Sequence, residues 1–160
     1  MLEGLDYLHS RQYSHQDLHL GNIFGSIPKH LARRVDPRTV QFKIGDLGVA
    51  KLFHEIGGAN TRAPWMLPPE VRDETGFGPI DHRVDIYHVG LLLLQVGYGR
   101  ELRFSTEDIV VGRPRHMALQ LPEPYGCALE RALRRHVSDR TPAARDFLGD
   151  LMQVHFVGGL

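Results

Sequence analysis

The sequence predicts a mainly helical single domain, residues 1–160, with one or two short strands. Two helical stretches and one alternating segment carry that reading. Leu2, Leu5 and Leu8 recur with Tyr7 at helical spacing. Val84, Ile86, Tyr87, Val89 and the run Leu91 to Leu94 leave almost no polar face, which marks a buried helix. Val40, Phe42 and Ile44 alternate with Gln41 and Lys43, as a half-buried strand does.

Taken in order, the chain opens inside its first helix. Met1 leaves no room for an N-cap, so an upstream part is expected to be missing. Tyr13 to Asn22 breaks helical period and sets polar groups between Leu18, Leu20 and Ile23. A loop from Gly25 to Thr39 carries Lys29, His30, Arg33, Arg34 and Arg38; a solvated loop is the first reading, a dock for an acidic partner the second. The strand that follows runs directly into Gly45-Asp46-Leu47-Gly48. Beyond a Gly- and Pro-rich stretch, Asp81 is placed to cap a helix from about His82 to Val96. Ala128 to Val137 reads as a helix with Leu129, Ala132 and Leu133 on one face. Ala143 to Val154 reads as the last, with Thr141 as N-cap and Pro142 at its first position.

Composition removes several function classes. Lys plus Arg (19) equals Asp plus Glu (19), so no global field favours a nucleic acid or an anionic membrane. No apolar run approaches the ~20 residues of a membrane span. A lone cysteine, Cys127, excludes an internal disulfide framework and fits a reducing compartment. A cytoplasmic protein is expected.

The chemistry-bearing residues lie in two loops. Ser14 to Asn22 holds a carboxylate, Asp17, and five residues later a carboxamide, Asn22. Asp46 follows the strand between Gly45 and Gly48. Phosphoryl transfer uses such a set: one carboxylate orients the attacking hydroxyl, and two oxygen ligands hold Mg²⁺ against nucleotide phosphates. The glycines beside Asp46 are expected to make the sharp turn. Taken singly, Asp17, Asn22 and Asp46 also suit loop caps and turns, and Asp85 a solvated first-turn acid.

Here the sequence resembles the eukaryotic-type protein kinase family. HQDLHLGN (His15 to Asn22) is similar to its H-R-D-L-x-x-x-N catalytic loop, and Asp46-Leu47-Gly48 to its D-F-G metal loop. GLDYLHS (Gly4 to Ser10) resembles the helix before that loop. Pro68-Pro69-Glu70 stands for A-P-E, DIYHVG (Asp85 to Gly90) resembles the head of the buried central helix, and Ser138-Asp139-Arg140-Thr141 the segment whose Arg pairs with the A-P-E Glu. The resemblance covers nearly the whole chain. It implies a kinase C-terminal lobe in which a short β-hairpin carries the catalytic and metal loops, with the N-terminal lobe absent. It implies ATP and Mg²⁺ as cofactors and a protein hydroxyl, Ser or Thr rather than Tyr, as acceptor. Asp17 would orient the hydroxyl, with His19 near the γ-phosphate, and Asn22 and Asp46 would bind Mg²⁺. His15, Glu70, Asp85 and Arg140 would be structural supports.

Departures from the family pattern bear on activity. No glycine-rich loop, V-A-I-K-type lysine or partner glutamate occurs here, so the isolated chain is expected to be weak or inactive, or completed by a partner supplying that lobe. Gln16 replaces the arginine that meets a phosphorylated activation loop, and between Asp46 and Glu70 the only hydroxyl is Thr61. An activation segment independent of phosphorylation is expected. His19 replaces a lysine, Leu47 a phenylalanine, and Ala63 a threonine near the substrate. Three other readings stand beside the kinase. A small-molecule kinase of the aminoglycoside or choline type shares the H-x-D-L-H-x-x-N loop. A pseudokinase scaffold fits the missing lobe. A zinc pair, His15-x-x-x-His19, lacks the catalytic glutamate of H-E-x-x-H.

Overall fold

A computed structural model describes residues 1–27, 40–57 and 66–153. Most of the basic loop (Lys29, His30, Arg33, Arg34, Arg38), Thr61, Ala63 and Val154 lie outside the described residues.

Helix α1, Leu2–Ser10, buries Leu2, Leu5 and His9 and packs against α8, Ala144–Met152. The centre is α4, Arg83–Tyr98, in which every residue from Val84 to Leu92 is buried. Its all-round apolar surface requires packing on several sides. α6 (Arg113–Ala118) and α7 (Tyr125–Ala132) lie against it, and α7 also meets α8. Leu5, Ile86, Leu94 and Phe147 are fully enclosed in this core, each contributing ~1.5–3 kcal/mol by burial. Gly99 ends α4 in the left-handed region (φ 62°), which brings Arg100 N–H to the Gln95 carbonyl at 3.3 Å.

Two small antiparallel pairs sit at one end. β1 (Tyr13–Ser14) pairs with β4 (Lys51–Leu52), and β2 (Ile23–Ser26) with β3 (Gln41–Ile44) in the register Ile23 to Ile44 and Ser26 to Gln41. The β2–β3 hairpin begins one residue after Asn22 and ends two residues before Asp46. The expected mainly-α fold with a loop-carrying hairpin is therefore present.

Several expected boundaries differ. The expected strand exists as β3, with Val40 and Ile44 half-buried and Ile44 packed on the core, but Phe42 departs from the expected alternation at 57% exposure. The central helix starts at Arg83 behind an N-cap at His82. Asp81 acts from one residue further out, accepting the Arg83 N–H at 2.8 Å while clamping the Arg83 guanidinium. α7 begins earlier and stops at Ala132, because the next carbonyls turn inward: Arg140 Nε donates to Arg134 O and Nη2 to Arg135 O. Thr141 is not the N-cap of α8. It is buried, and the cap position is Ala143, in extended backbone. The short helices α2 (Pro69–Arg72), α3 (Glu74–Phe77) and α5 (Thr106–Val110) are not anticipated by the sequence pattern, nor is α6. Among the described residues no helix is long and apolar enough to cross a membrane.

Candidate active site

Two residues of the Asp17 loop are held from below by one carboxylate. Asp85, fully buried at the start of α4, accepts the backbone N–H of His15 (2.8 Å, Oδ2) and of Gln16 (2.8 Å, Oδ1). Ser14 Oγ donates to it at 2.8 Å and His9 Nε2 lies at 2.9 Å. Burial pushes the Asp85 carboxyl up, but the hydrogen bonds from His9, Gln16 and Ser14 outweigh it and hold its pKa below the ordinary value. The carboxylate therefore stays charged and fixes the loop. Gln16 takes a left-handed backbone there (φ 70°), and its amide donates to Ser14 Oγ. It is buried, so the residue in the arginine's place is engaged inward.

His15 joins the two loops. Its Nε2 donates to the Gly45 carbonyl at 3.0 Å, and its Nδ1 accepts the Asp17 N–H at 3.3 Å. Those bonds set one tautomer and leave neither nitrogen for zinc. Gly45 N–H donates to the Asn22 carbonyl at 2.9 Å, and Asn22 Nδ2 donates to the Asp17 carbonyl at 2.9 Å. Asp17, Asn22 and Asp46 thus gather at the mouth of the β2–β3 hairpin. His19 Nε2 stands 3.7 Å from Asp17 Oδ2, while its Nδ1 accepts the Gly21 N–H at 3.1 Å.

The sharp turn of the second loop is made by Asp46 itself (φ 57°), not by its glycines. Aspartate tolerates this region through local hydrogen bonding, and Asp46 Oδ1 accepts the Gly48 N–H at 3.2 Å. Gly45 instead makes room for a neighbour, since a Cβ there would meet the Phe24 ring at 2.5 Å. Asn22 and Asp46 fit a magnesium ion by chemistry. Asn22 spends its amide nitrogen on the Asp17 carbonyl and Asp46 spends Oδ1 on the Gly48 N–H, so each side chain retains an oxygen of the kind a hard cation takes. Mg²⁺ typically takes only one or two protein oxygens beside water and phosphate.

The supporting residues are also placed. Arg140 donates to both carboxylate oxygens of Glu70, at 2.6 and 2.8 Å, with both side chains fully enclosed. A family model described as protein kinase domain matches residues 1–156. The chain belongs to the protein kinase family. This kinase chain is 31% identical over 157 residues to the eIF-2-alpha kinase GCN2 of Schizosaccharomyces pombe, covering 92% of itself and 9% of that protein. It is 30% identical over 171 residues to the serine/threonine-protein kinase pkn3 of Myxococcus xanthus, covering 96% and 30%. With the serine/threonine-protein kinase Nek11 of Mus musculus it shares 28% over 157 residues, covering 92% and 22%. The kinase chain thus spans less than a third of the length of each of these relatives.

His9 and Ser14 at Asp85 are not legible in the sequence. They lie 76 and 71 residues from it, and nothing local signals the contact. The same holds for His88. It is fully buried on α4, and neither ring nitrogen has a partner among the described residues. Burial lowers its pKa to about 4, against the opposing pull of Asp85 and Asp17. A depressed histidine lets the unfolded chain bind a proton that the folded chain refuses. Its contribution to stability is therefore complete above the ordinary value of 6.5 and is lost as pH falls towards about 4. We expect His88→Leu to be as stable as the parent at pH 7, since no hydrogen bond is broken. It should also lose about 2 kcal/mol less between pH 7 and 5. Urea denaturation at the two pH values measures both; an unchanged pH slope removes His88 as the titrating group.

Proposed function

We propose that this chain is the catalytic- and metal-loop portion of a serine/threonine protein kinase, transferring the γ-phosphoryl group of Mg-ATP to a protein hydroxyl. The observation that carries the reading is the hydrogen-bonded chain Asp17–Asn22–Gly45–His15, which couples the two loops into one constellation. Asp17 orients the acceptor hydroxyl and takes up its proton at a carboxylate oxygen. His19 confines that carboxylate from one side. Asn22 and Asp46 hold the metal ion. Bound Mg²⁺ supplies charge neutralisation at the nucleotide phosphates. His15 and Asp85 touch no reacting atom; they keep the loops in register.

The Ser/Thr assignment is supported by the names of the relatives. Tyr13, Phe24, Phe42 and Leu47 are exposed apolar residues near the two loops, which fits a nucleotide site whose remaining wall comes from additional protein. The test is transfer of labelled phosphoryl from Mg-ATP to Ser-, Thr- and Tyr-containing peptides by the natural protein that carries residues 1–160. Transfer to Ser or Thr is expected. Transfer to an aminoglycoside or choline alone, or nucleotide binding with transfer to no hydroxyl, would overturn the proposal in favour of the small-molecule or scaffold reading.

A further inference from the structure

A second polar cleft lies between α3, α6 and the segment after α7. Its volume is about 390 Å³, and Arg115, Arg134, Arg135 and His136 line it, with Phe77 as an apolar wall and Asp139 as an acid. Three guanidinium groups gathered in one place repel each other unless anions oppose them. Glu130 opposes two. Arg115 Nε donates to its Oε1, and Arg134 donates through Nε (3.3 Å) and Nη2 (3.1 Å). Burial pushes the Glu130 carboxyl up, but the bonds from Arg134 and Arg115 outweigh it, so Glu130 stays ionised.

Arg135 is held differently. Its Nη1 donates to the Val110 carbonyl at 2.9 Å, and its guanidinium carbon lies 6.0 Å from the Phe77 ring centroid. Among the described residues it has no carboxylate partner. His136 Nδ1 is engaged by Ser138, at 2.8 Å from Oγ, which leaves Nε2 for the cleft.

The cluster is positioned from beneath. Arg140, locked onto Glu70, donates to the carbonyls of Arg134 (3.1 Å) and Arg135 (3.3 Å), so a buried ion pair fixes the backbone that presents both cations. Gly112 (φ 78°) has no side chain where a Cβ would lie 3.2 Å from Arg135 Cδ, which leaves a path for the arginine stem. Such preorganisation lowers the cost of ordering long side chains around a ligand.

Guanidinium forks match phosphoryl oxygens bidentately, and a phosphomonoester brings about −1.5 to −2 charge to one point. An extended polyanion fits poorly: Asp139 and Glu130 flank the cleft, and the chain has as many acidic as basic residues. Phe77 adds an apolar surface that a free phosphate would not use. We propose that this cleft binds a phosphorylated serine or threonine of a partner protein. None of its residues belongs to the Asp17–Asn22–Asp46 constellation, and the binding requires no phosphoryl transfer by this chain.

Fluorescence anisotropy on the natural protein tests it. The probes are a peptide with one phosphoserine among neutral residues and its unphosphorylated twin, with inorganic phosphate and a short RNA as competitors. The phosphopeptide should bind at least about tenfold more tightly than its twin. Arg135→Gln should weaken it about tenfold, and Arg115→Gln, which leaves Arg134 on Glu130, should weaken it as well. Arg115→Gln carries the test should Arg135→Gln not fold. Asp17→Asn should bind as the parent does, so a failed kinase assay leaves this result untouched. Equal binding of the twin, or displacement by inorganic phosphate or RNA at lower concentration than the peptide, overturns the proposal. So does indifference to the arginine changes, or loss of binding in Asp17→Asn.

Discussion

Replacing Asp17 with asparagine is expected to lower phosphoryl transfer by about 10²–10⁴-fold and to leave the fold intact. The expectation rests on which atoms of Asp17 do which work. Its backbone N–H donates to His15 Nδ1 and its carbonyl accepts from Asn22 Nδ2, so asparagine preserves both bonds. The carboxylate has a looser neighbour, His19 Nε2 at 3.7 Å. An amide of the same shape keeps the space and loses the proton acceptor. The fall should therefore appear in kcat with a peptide substrate, with nucleotide affinity and thermal midpoint close to the parent. Unchanged kcat would remove Asp17 from the reaction. A large drop in thermal midpoint would make it a structural residue instead.

The largest expected loss of stability follows from Arg140→Met. Glu70 would then be a fully enclosed carboxylate without its cation, and the carbonyls of Arg134, Arg135 and Arg83 would lose a donor. Breaking a buried pair from one side typically costs about 3–5 kcal/mol. At this chain length that corresponds to a fall of roughly 6–20 °C in thermal midpoint. The double variant Glu70→Leu/Arg140→Met should recover much of the loss, because it removes the stranded charge as well as the bond. Chemical denaturation of the single and double variants reads this directly. A single variant within about 1 kcal/mol of the parent would show the pair to be solvated in solution.

The two variants probe different kinds of legibility. The loops of Asp17, Asn22 and Asp46 can be picked out as family motifs because their residues stand at short, local spacings. α1 and α4 can be read because Leu2 with Leu5, and the run from Val84 to Leu94, show their burial in residue type alone. β2 cannot: Ile23, Phe24 and Gly25 have no alternation, and only pairing with β3 makes them a strand. α2, α3, α5 and α6 span 4, 4, 5 and 6 residues, too short to establish a helical period. For α5 one local signal does exist: Ser105 and Asp108 form a reciprocal capping pair, at 3.0 and 3.1 Å.

The conformation of Asp46 shows where local reasoning fails in detail. Neighbouring glycines suggest that they carry the turn, yet Asp46 takes the positive φ, while Gly45 lets the Phe24 ring approach. That ring comes from the other strand of the hairpin, so no inspection of residues 45–48 reveals it. Thr141 is a second case. Its sequence context is that of an N-cap, but its neighbour Arg140 is drawn inside by Glu70 and Thr141 is buried with it, moving the helix start to Ala144.

By itself the sequence determined the family, the mainly helical class and the central buried helix, and it marked out the two loops proposed to carry the chemistry. Each of these depends on residue type and near-neighbour spacing, which the chain carries before it folds. Only the tertiary structure decided what holds the loops together: Asp85 gripping residues 14–16 with His9, and His15 tying Asp17 to Gly45. It also decided that Arg140 would present Arg134 and Arg135 to a shared cleft. The physical reason is range. Hydrogen bonds and charge act over a few ångströms of space, and partners tens of residues apart in sequence meet at that range only once the core has formed.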